Sequence, residues 1–232
     1  MMATSDKAEL NLKATVTELN RRIPAERLAV WTGGNLSARL PGATEFWIKP
    51  SGVPYEDLKS EMLVKCDLTG KRIAGDSEPS SDAQSHAYIY RSMVKVNGVV
   101  HTHSNYATAW AAAGQPIPCV LTAIADEFGG DIPLGPFAPI GNDEIGRGVV
   151  DTLNNSRSKA VLMRNHGVFT IGSSALSALK AAVMCEDVAK SVWIAKSLGE
   201  LVRLPQDVID ALYERYTNSY GQKASNQKGD AK

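Results

Sequence analysis

Residues 97–103 read Asn-Gly-Val-Val-His-Thr-His, a β-rich run that places two histidines two positions apart. Side chains alternate along a strand, so His101 and His103 face the same side. Their separation suits chelation of one metal ion; a pair of half-exposed strand histidines is the plainer alternative. A second region, residues 160–171, reads as two apolar strands, Ala160–Arg164 and Val168–Ile171, around the turn Asn165-His166-Gly167. Two histidines from one strand end and a third from another strand's turn form a candidate facial triad. A catalytic zinc site takes three protein ligands and keeps one position open.

Working outward, helical spacing of Leu10, Leu12, Val16 and Leu19 predicts a helix over residues 6–22, ended by Pro24. Short strands are expected at Asn35–Leu40, Phe46–Lys49 and Met62–Cys66, separated by Gly/Pro turns. Helices are expected over residues 82–93, Tyr106–Ala113, Asp143–Asn154, Ser174–Leu198 and Pro205–Tyr216, and Ile117–Leu121 reads as a further strand. Interspersed strands and helices predict a single α/β layered domain over residues 1–222 with one central mixed or antiparallel sheet. Residues 223–232 are polar and read as a disordered tail.

The chain has 232 residues, with 25 basic and 25 acidic side chains and a formal net charge of zero. That balance argues against a nucleic-acid binder or a polybasic membrane-surface protein. No apolar run has the length of a membrane-spanning helix, and no signal peptide is evident. Cys66, Cys119 and Cys185 are unpaired in spacing and read as free thiols of a cytoplasmic protein.

Three small-residue turns are candidate anion cradles. In Pro79-Ser80-Ser81-Asp82, hydroxyls and free N–H groups at a helix start suit a phosphate, although Ser or Asp there is often only an N-cap. In the same reading Asp82 points toward a nearby metal. Lys49-Pro50-Ser51-Gly52 and Gly33-Gly34-Asn35 are the other two turns. His86, one turn into the helix, reads as a core histidine held by hydrogen bonds. Nothing local marks Asp126 or Tyr220.

As an ordered set, Gly34-Asn35, Lys49-Pro50-Ser51-Gly52, Pro79-Ser80-Ser81-Asp82, His101-Thr102-His103 and Asn165-His166-Gly167 resemble the class II aldolase/adducin family, over roughly residues 28–222. The resemblance implies a central, mainly antiparallel sheet flanked by helices in three layers, and a homotetramer with active sites between subunits. It implies that His101, His103 and His166 hold one divalent ion per subunit, zinc foremost with manganese or cobalt as alternatives, with Asp82 alongside. Gly34, Asn35, Lys49, Ser51, Gly52, Ser80 and Ser81 would hold a sugar phosphate.

Within the family the chain is most similar to the branch that epimerises L-ribulose 5-phosphate at C4. Asp82 stands where the fuculose-phosphate aldolase branch has glutamate. Asp126, 25 residues after His101, and Tyr220, in Tyr-Gly-Gln, match that branch's catalytic aspartate and tyrosine, the tyrosine coming from the neighbouring chain. Ala123-Ile124-Ala125 before Asp126 departs from the epimerase pattern, and Gly129-Gly130 and Pro139-Ile140-Gly141 are aldolase-like. The implied reaction is retro-aldol cleavage of C3–C4, rotation of the aldehyde and re-addition, with Asp126 and Tyr220 as proton-transfer groups on opposite faces. The alternative is an aldolase that releases dihydroxyacetone phosphate and an aldehyde.

Overall fold

The computed structural model describes residues 4–219. Eight strands form one sheet in the order β4-β3-β2-β1-β5-β8-β7-β6. They are β1 (Asn35–Ala38), β2 (Glu45–Ile48), β3 (Val64–Asp67), β4 (Arg72–Ala74), β5 (Gly98–Thr102), β6 (Leu134–Gly135), β7 (Ala160–Met163) and β8 (Gly167–Gly172). Every pairing is antiparallel except β6 with β7. The helices are α1 (Thr4–Ala25), α2 (Ala83–Ser92), α3 (Asn105–Ala112), α4 (Thr122–Phe128), α5 (Glu144–Leu153), α6 (Ala175–Leu198) and α7 (Gln206–Ser219).

The sheet is buried on both faces, so β7 and most of β8 are apolar on both sides, while the buried β1 alternates Asn35 and Ser37 with Leu36 and Ala38. On one face, Val99, Val161 and Phe169 pack against Ala87 and Tyr90 of α2 and Val149 of α5. On the other, Leu36 and Val100 pack with Val16 and Leu19 of α1 and Leu179 of α6. A third cluster joins Leu162 and Val168 to α3, α4, α6 and Ile209 of α7. The result is the expected three-layer α/β/α arrangement. The long α6 starts at a reciprocal cap: Ser174 Oγ accepts from Ser177 N–H, and Ser177 Oγ accepts from Ser174 N–H.

Several local expectations change. Ile117–Leu121 is not a strand; Ile117 makes only an isolated bridge to Ile132. Pro116 and Pro118 flank it and remove the N–H groups that a strand would need. The next residues form the unexpected helix α4, which stops at Gly129 in the left-handed region (φ 65°). Strands β4 and β6 are likewise additions to the expected set. Pro24 is accommodated in the last turn of α1, which closes one residue later at Ala25. The three cysteines are free and buried, as expected. Among the described residues no helix is long and apolar enough to cross a membrane. The tail expected over residues 223–232 lies outside the described residues.

The carboxyl-terminal part of the chain is moored by ion pairs. Arg203 binds Asp131, Arg157 binds Asp210 of α7, and Arg215 of α7 binds Asp126 of α4. Beneath them Glu127, nearly inaccessible, meets Lys159 at 3.2 Å and Lys180 at 2.8 Å.

Candidate active site

β5 pairs with β1 on one side and β8 on the other, which sets Asn35 and Phe169 directly beside His101. Alternation then sends the His101 and His103 side chains out on the α2 face of the sheet. The strand ends there, and α3 follows, its Tyr106 and Ala107 N–H groups both capped at 2.9 Å by the Glu186 carboxylate of α6. The β7–β8 turn delivers His166. Asn165 takes the left-handed conformation (φ 57°), which asparagine tolerates better than most residues, and His166 N–H closes the turn on the Met163 carbonyl at 3.0 Å. Gly167 is required next: a Cβ there would lie 2.5 Å from the Thr102 carbonyl oxygen, so a side chain would push the turn away from β5.

The three imidazoles converge, with ligand atoms within 4.8 Å of one another. His101 Nε2 and His103 Nε2 are 2.9 Å apart. His101 Nδ1–H donates to the Val168 carbonyl at 3.0 Å, which leaves Nε2 with its lone pair toward the cluster. Phe169 stacks behind the same ring, centroids 4.2 Å apart and planes at 16°. Burial lowers the pKa of all three histidines, so they are neutral imidazoles, the form that ligates metal. His166 Nδ1 is buried with no hydrogen-bond partner in the protein. Neutral, convergent nitrogens with one tautomer fixed from behind fit a divalent ion of zinc type.

A cavity of about 300 Å³ opens over this cluster. The three anion-cradle turns all reach it: Gly34 and Asn35, Lys49 to Gly52, and Ser80 to Asp82. Two of them are zipped together, because Ser80 N–H donates to the Lys49 carbonyl (3.1 Å) and Ser51 N–H to that of Glu78 (2.9 Å). Gly34 is held at φ +72°, and a Cβ there would meet the His101 carbonyl oxygen at 2.7 Å. Lys49 is 1% exposed and makes no ion pair with a carboxylate among the described residues. Burial lowers its pKa to about 8. A buried ammonium lining a cavity, beside hydroxyls and open backbone, has the chemistry to receive an anion.

Asp82 and Asn35 both line the cavity and are bonded to each other. Asp82 is not one of the histidine cluster. Its Oδ2 accepts from Asn35 Nδ2 at 2.7 Å, and the same Nδ2 bonds Ser80 Oγ at 3.0 Å. Both Asn35 donor hydrogens are thus engaged within the protein, which ties β1 to the Ser80–Asp82 turn. Burial works against the Asp82 charge, while the Asn35 hydrogen bond favours it, and the pKa is held below the usual carboxylate value.

Asp126 is not brought to the cavity of its own chain. It sits on α4 with its carboxylate 3.2 and 3.3 Å from Arg215 Nη2. Tyr220 lies outside the described residues. Thr32 also lines the cavity without having been singled out, Gly33 and Ile140 line it from turns already noted, and Phe169 stands behind His101. Thr32 and Gly33 adjoin the Gly34-Asn35 turn, a usable local signal; Phe169 and Ile140 depend on strand register and loop path.

The comparisons agree with this geometry. The Class II Aldolase and Adducin N-terminal domain family matches residues 14–193, so the chain belongs to that family. The chain is similar to a solved L-fuculose 1-phosphate aldolase, with 28% identity, TM-score 0.84 and coverage of 93% of this chain and 98% of that one. It is similar also to Escherichia coli YgbL, for which aldolase, epimerase and decarboxylase activities are put forward, at 25% identity and TM-score 0.77, covering 88% and 99% of the two chains. The L-fuculose-1-phosphate aldolase of Thermus thermophilus shares the fold at 23% identity and TM-score 0.69, covering 82% and 98%.

Proposed function

We propose that this protein is a metal-dependent enzyme that cleaves, by retro-aldol chemistry, a carbon–carbon bond of a phosphorylated ketose, acting as an aldolase. The observation that carries the reading is the single cavity shared by a three-histidine cluster and a buried, carboxylate-free lysine. His101, His103 and His166 would hold the ion, zinc being the best fit. When bound, such an ion supplies a Lewis acid for the negative charge that bond cleavage leaves on the ketone half.

The chain's own groups do the remainder. Lys49, the Ser51, Ser80 and Ser81 hydroxyls and the backbone at Gly34 and Gly52 bind the phosphate and fix the position of the sugar. Asp82, ionised and aimed by Asn35, accepts the proton from the hydroxyl on the carbon that becomes an aldehyde; the electron pair of the broken bond stays on the ketone half, whose carbon takes up a proton before release, and the reverse direction runs the same transfers backwards. The Asn35 bond keeps its carboxylate in one orientation between the phosphate turn and the histidines.

Epimerisation at C4 of L-ribulose 5-phosphate is the second reading, favoured by aspartate rather than glutamate at position 82. Inversion calls for proton-transfer groups on both faces of the aldehyde. Among the described residues the cavity wall supplies one carboxylate, Asp82, so the second pair, Asp126 and Tyr220, would come from a neighbouring chain in a homotetramer. Exposed Trp193, Ile194 and Leu198 near the end of α6 support self-association.

NMR product analysis of the zinc-loaded protein with L-fuculose 1-phosphate and with L-ribulose 5-phosphate tests both readings. Free dihydroxyacetone phosphate from the first substrate is expected. Conversion of the second to D-xylulose 5-phosphate without free fragments establishes the epimerase reading instead. Inertness toward both overturns the two.

A further inference from the structure

His86 is the one histidine that the proposed chemistry leaves unused, yet it is fully buried and hydrogen-bonded within α2 and β1. The surroundings repeat regularly. Asn35, Ser37 and Arg39 alternate along β1, so all three face α2. On the helix, Asp82, His86 and Tyr90 recur every four residues and form one stripe. Four helical residues rise about 6 Å and two strand residues advance about 6.7 Å, so the two rows stay in step.

The contacts follow that match. Asn35 Nδ2 bonds Asp82 at 2.7 Å. Ser37 Oγ lies 2.7 Å from His86 Nδ1 and 2.8 Å from Tyr90 Oη. Arg39, bonded to the Val96 carbonyl at 3.0 Å, places its guanidinium 4.9 Å from the Tyr90 ring centroid. The His86 ring also meets Phe169 edge-on at 6.0 Å, and Phe169 is the ring stacked on His101.

We propose that His86 is a positioning residue: with Ser37 and Tyr90 it fixes the axial register of α2 on β1, and so sets the Asp82 carboxylate and the Ser80 hydroxyl in the cavity. The inference rests on the reading of Asp82 as the proton-transfer group. Apolar packing is non-directional and tolerates sliding of a helix along a sheet. Hydrogen bonds of 2.7–2.8 Å are directional: a slide of one residue, about 1.5 Å, lengthens and misaligns every link in the row. A neutral imidazole has one donor and one acceptor, so the Tyr90–Ser37–His86 chain is continuous with either tautomer.

The test is a double-mutant cycle on the zinc-loaded, full-length protein. Ser37→Ala removes the shared hydroxyl, and Tyr90→Phe removes one end with ring packing kept. Each is expected to lower kcat/KM tenfold or more with zinc content unchanged. In an Asp82→Asn background, the same changes should lower the residual kcat/KM by a clearly smaller factor, the part that Ser80 alone carries. An equal penalty in both backgrounds, or no penalty in either, overturns the proposal. If the wild-type protein proves inert toward sugar phosphates, the function reading fails separately. Calorimetry with inorganic phosphate then decides: binding weakened at least fivefold by Ser37→Ala and Tyr90→Phe upholds the positioning role, and unchanged binding overturns it.

Discussion

Lys49 Nζ lies 4.9 Å from the ring centroid of Tyr55, and among the described residues its one hydrogen bond is to the Pro50 carbonyl at 3.3 Å. A ring face and a carbonyl stabilise an ammonium weakly compared with a carboxylate. The lysine is therefore electrostatically under-satisfied until an anion arrives.

Burial sets the Lys49 pKa at about 8, against 10.5 for the free side chain. If its charged form is the proposed phosphate ligand, kcat/KM should fall as pH rises through about 8, approaching tenfold per pH unit. Stability moves oppositely: between about 8 and 10.5 the unfolded chain holds the extra proton, so this group's contribution to stability falls as pH drops and rises as pH climbs. A pH–rate profile that stays flat to pH 9.5 counts against the lysine as the anion ligand.

Lys49→Met replaces the buried charge by an apolar chain of similar length. We expect the unliganded protein to gain about 1–3 kcal/mol in denaturant melts, because a desolvation cost disappears. Inorganic phosphate should bind roughly 10- to 100-fold more weakly. A loss of stability together with unchanged phosphate affinity contradicts the assignment.

Asp82→Asn retains shape and an acceptor oxygen but cannot take a proton. Turnover is expected to drop about 10²- to 10⁴-fold. Metal content by atomic absorption should stay at the wild-type level, since Asp82 stands outside the histidine cluster. A loss of metal equal to the loss of rate would make Asp82 a ligand instead.

Chelation should remove activity, with zinc restoring it. At a free-ion concentration 100 times Kd, bound metal contributes about 2.7 kcal/mol to stability, and its removal should lower Tm by about 5–10 °C for a chain of this size. His166→Ala should abolish the zinc-dependent shift while leaving the apo Tm near that of the apo wild type. An activity and Tm indifferent to chelator refute the metal site.

Gly34→Ala tests the close approach of the cradle to β5. The added methyl meets the His101 carbonyl oxygen at 2.7 Å at a residue held at φ +72°. We expect a loss of about 1–3 kcal/mol, with weakened zinc and phosphate binding together. Full binding with wild-type stability would show that the turn has room.

The histidine site is legible in the sequence because its chemistry is local in pattern. Strand alternation alone puts His101 and His103 on one side, and a polar turn between two apolar strands marks His166. The anion turns are legible from their small residues, and the structure joins all three at one cavity. The bonds of Asn35 to Ser80 and Asp82 are not legible in the sequence, because they span 45 and 47 residues and have no local signature. Helix α4 escapes notice because the apolar run before it resembles a strand, and only Pro116 and Pro118 signal otherwise. The His86 stripe can be read from its four-residue spacing; its partners Ser37 and Arg39 become evident only when β1 is laid against α2.

The ion pairs along the carboxyl-terminal segment give the molecule two unequal responses to electrolyte. Arg203–Asp131, Arg157–Asp210 and Arg215–Asp126 each involve an arginine about half exposed, and such pairs weaken as ionic strength rises. The sheet and the polar row between β1 and α2 are buried and scarcely feel dissolved salt. Rising salt should therefore slacken the attachment of α7 to α4 well before it disturbs the histidines, so hydrogen exchange in α7 becomes salt-sensitive while β5 and β8 stay protected.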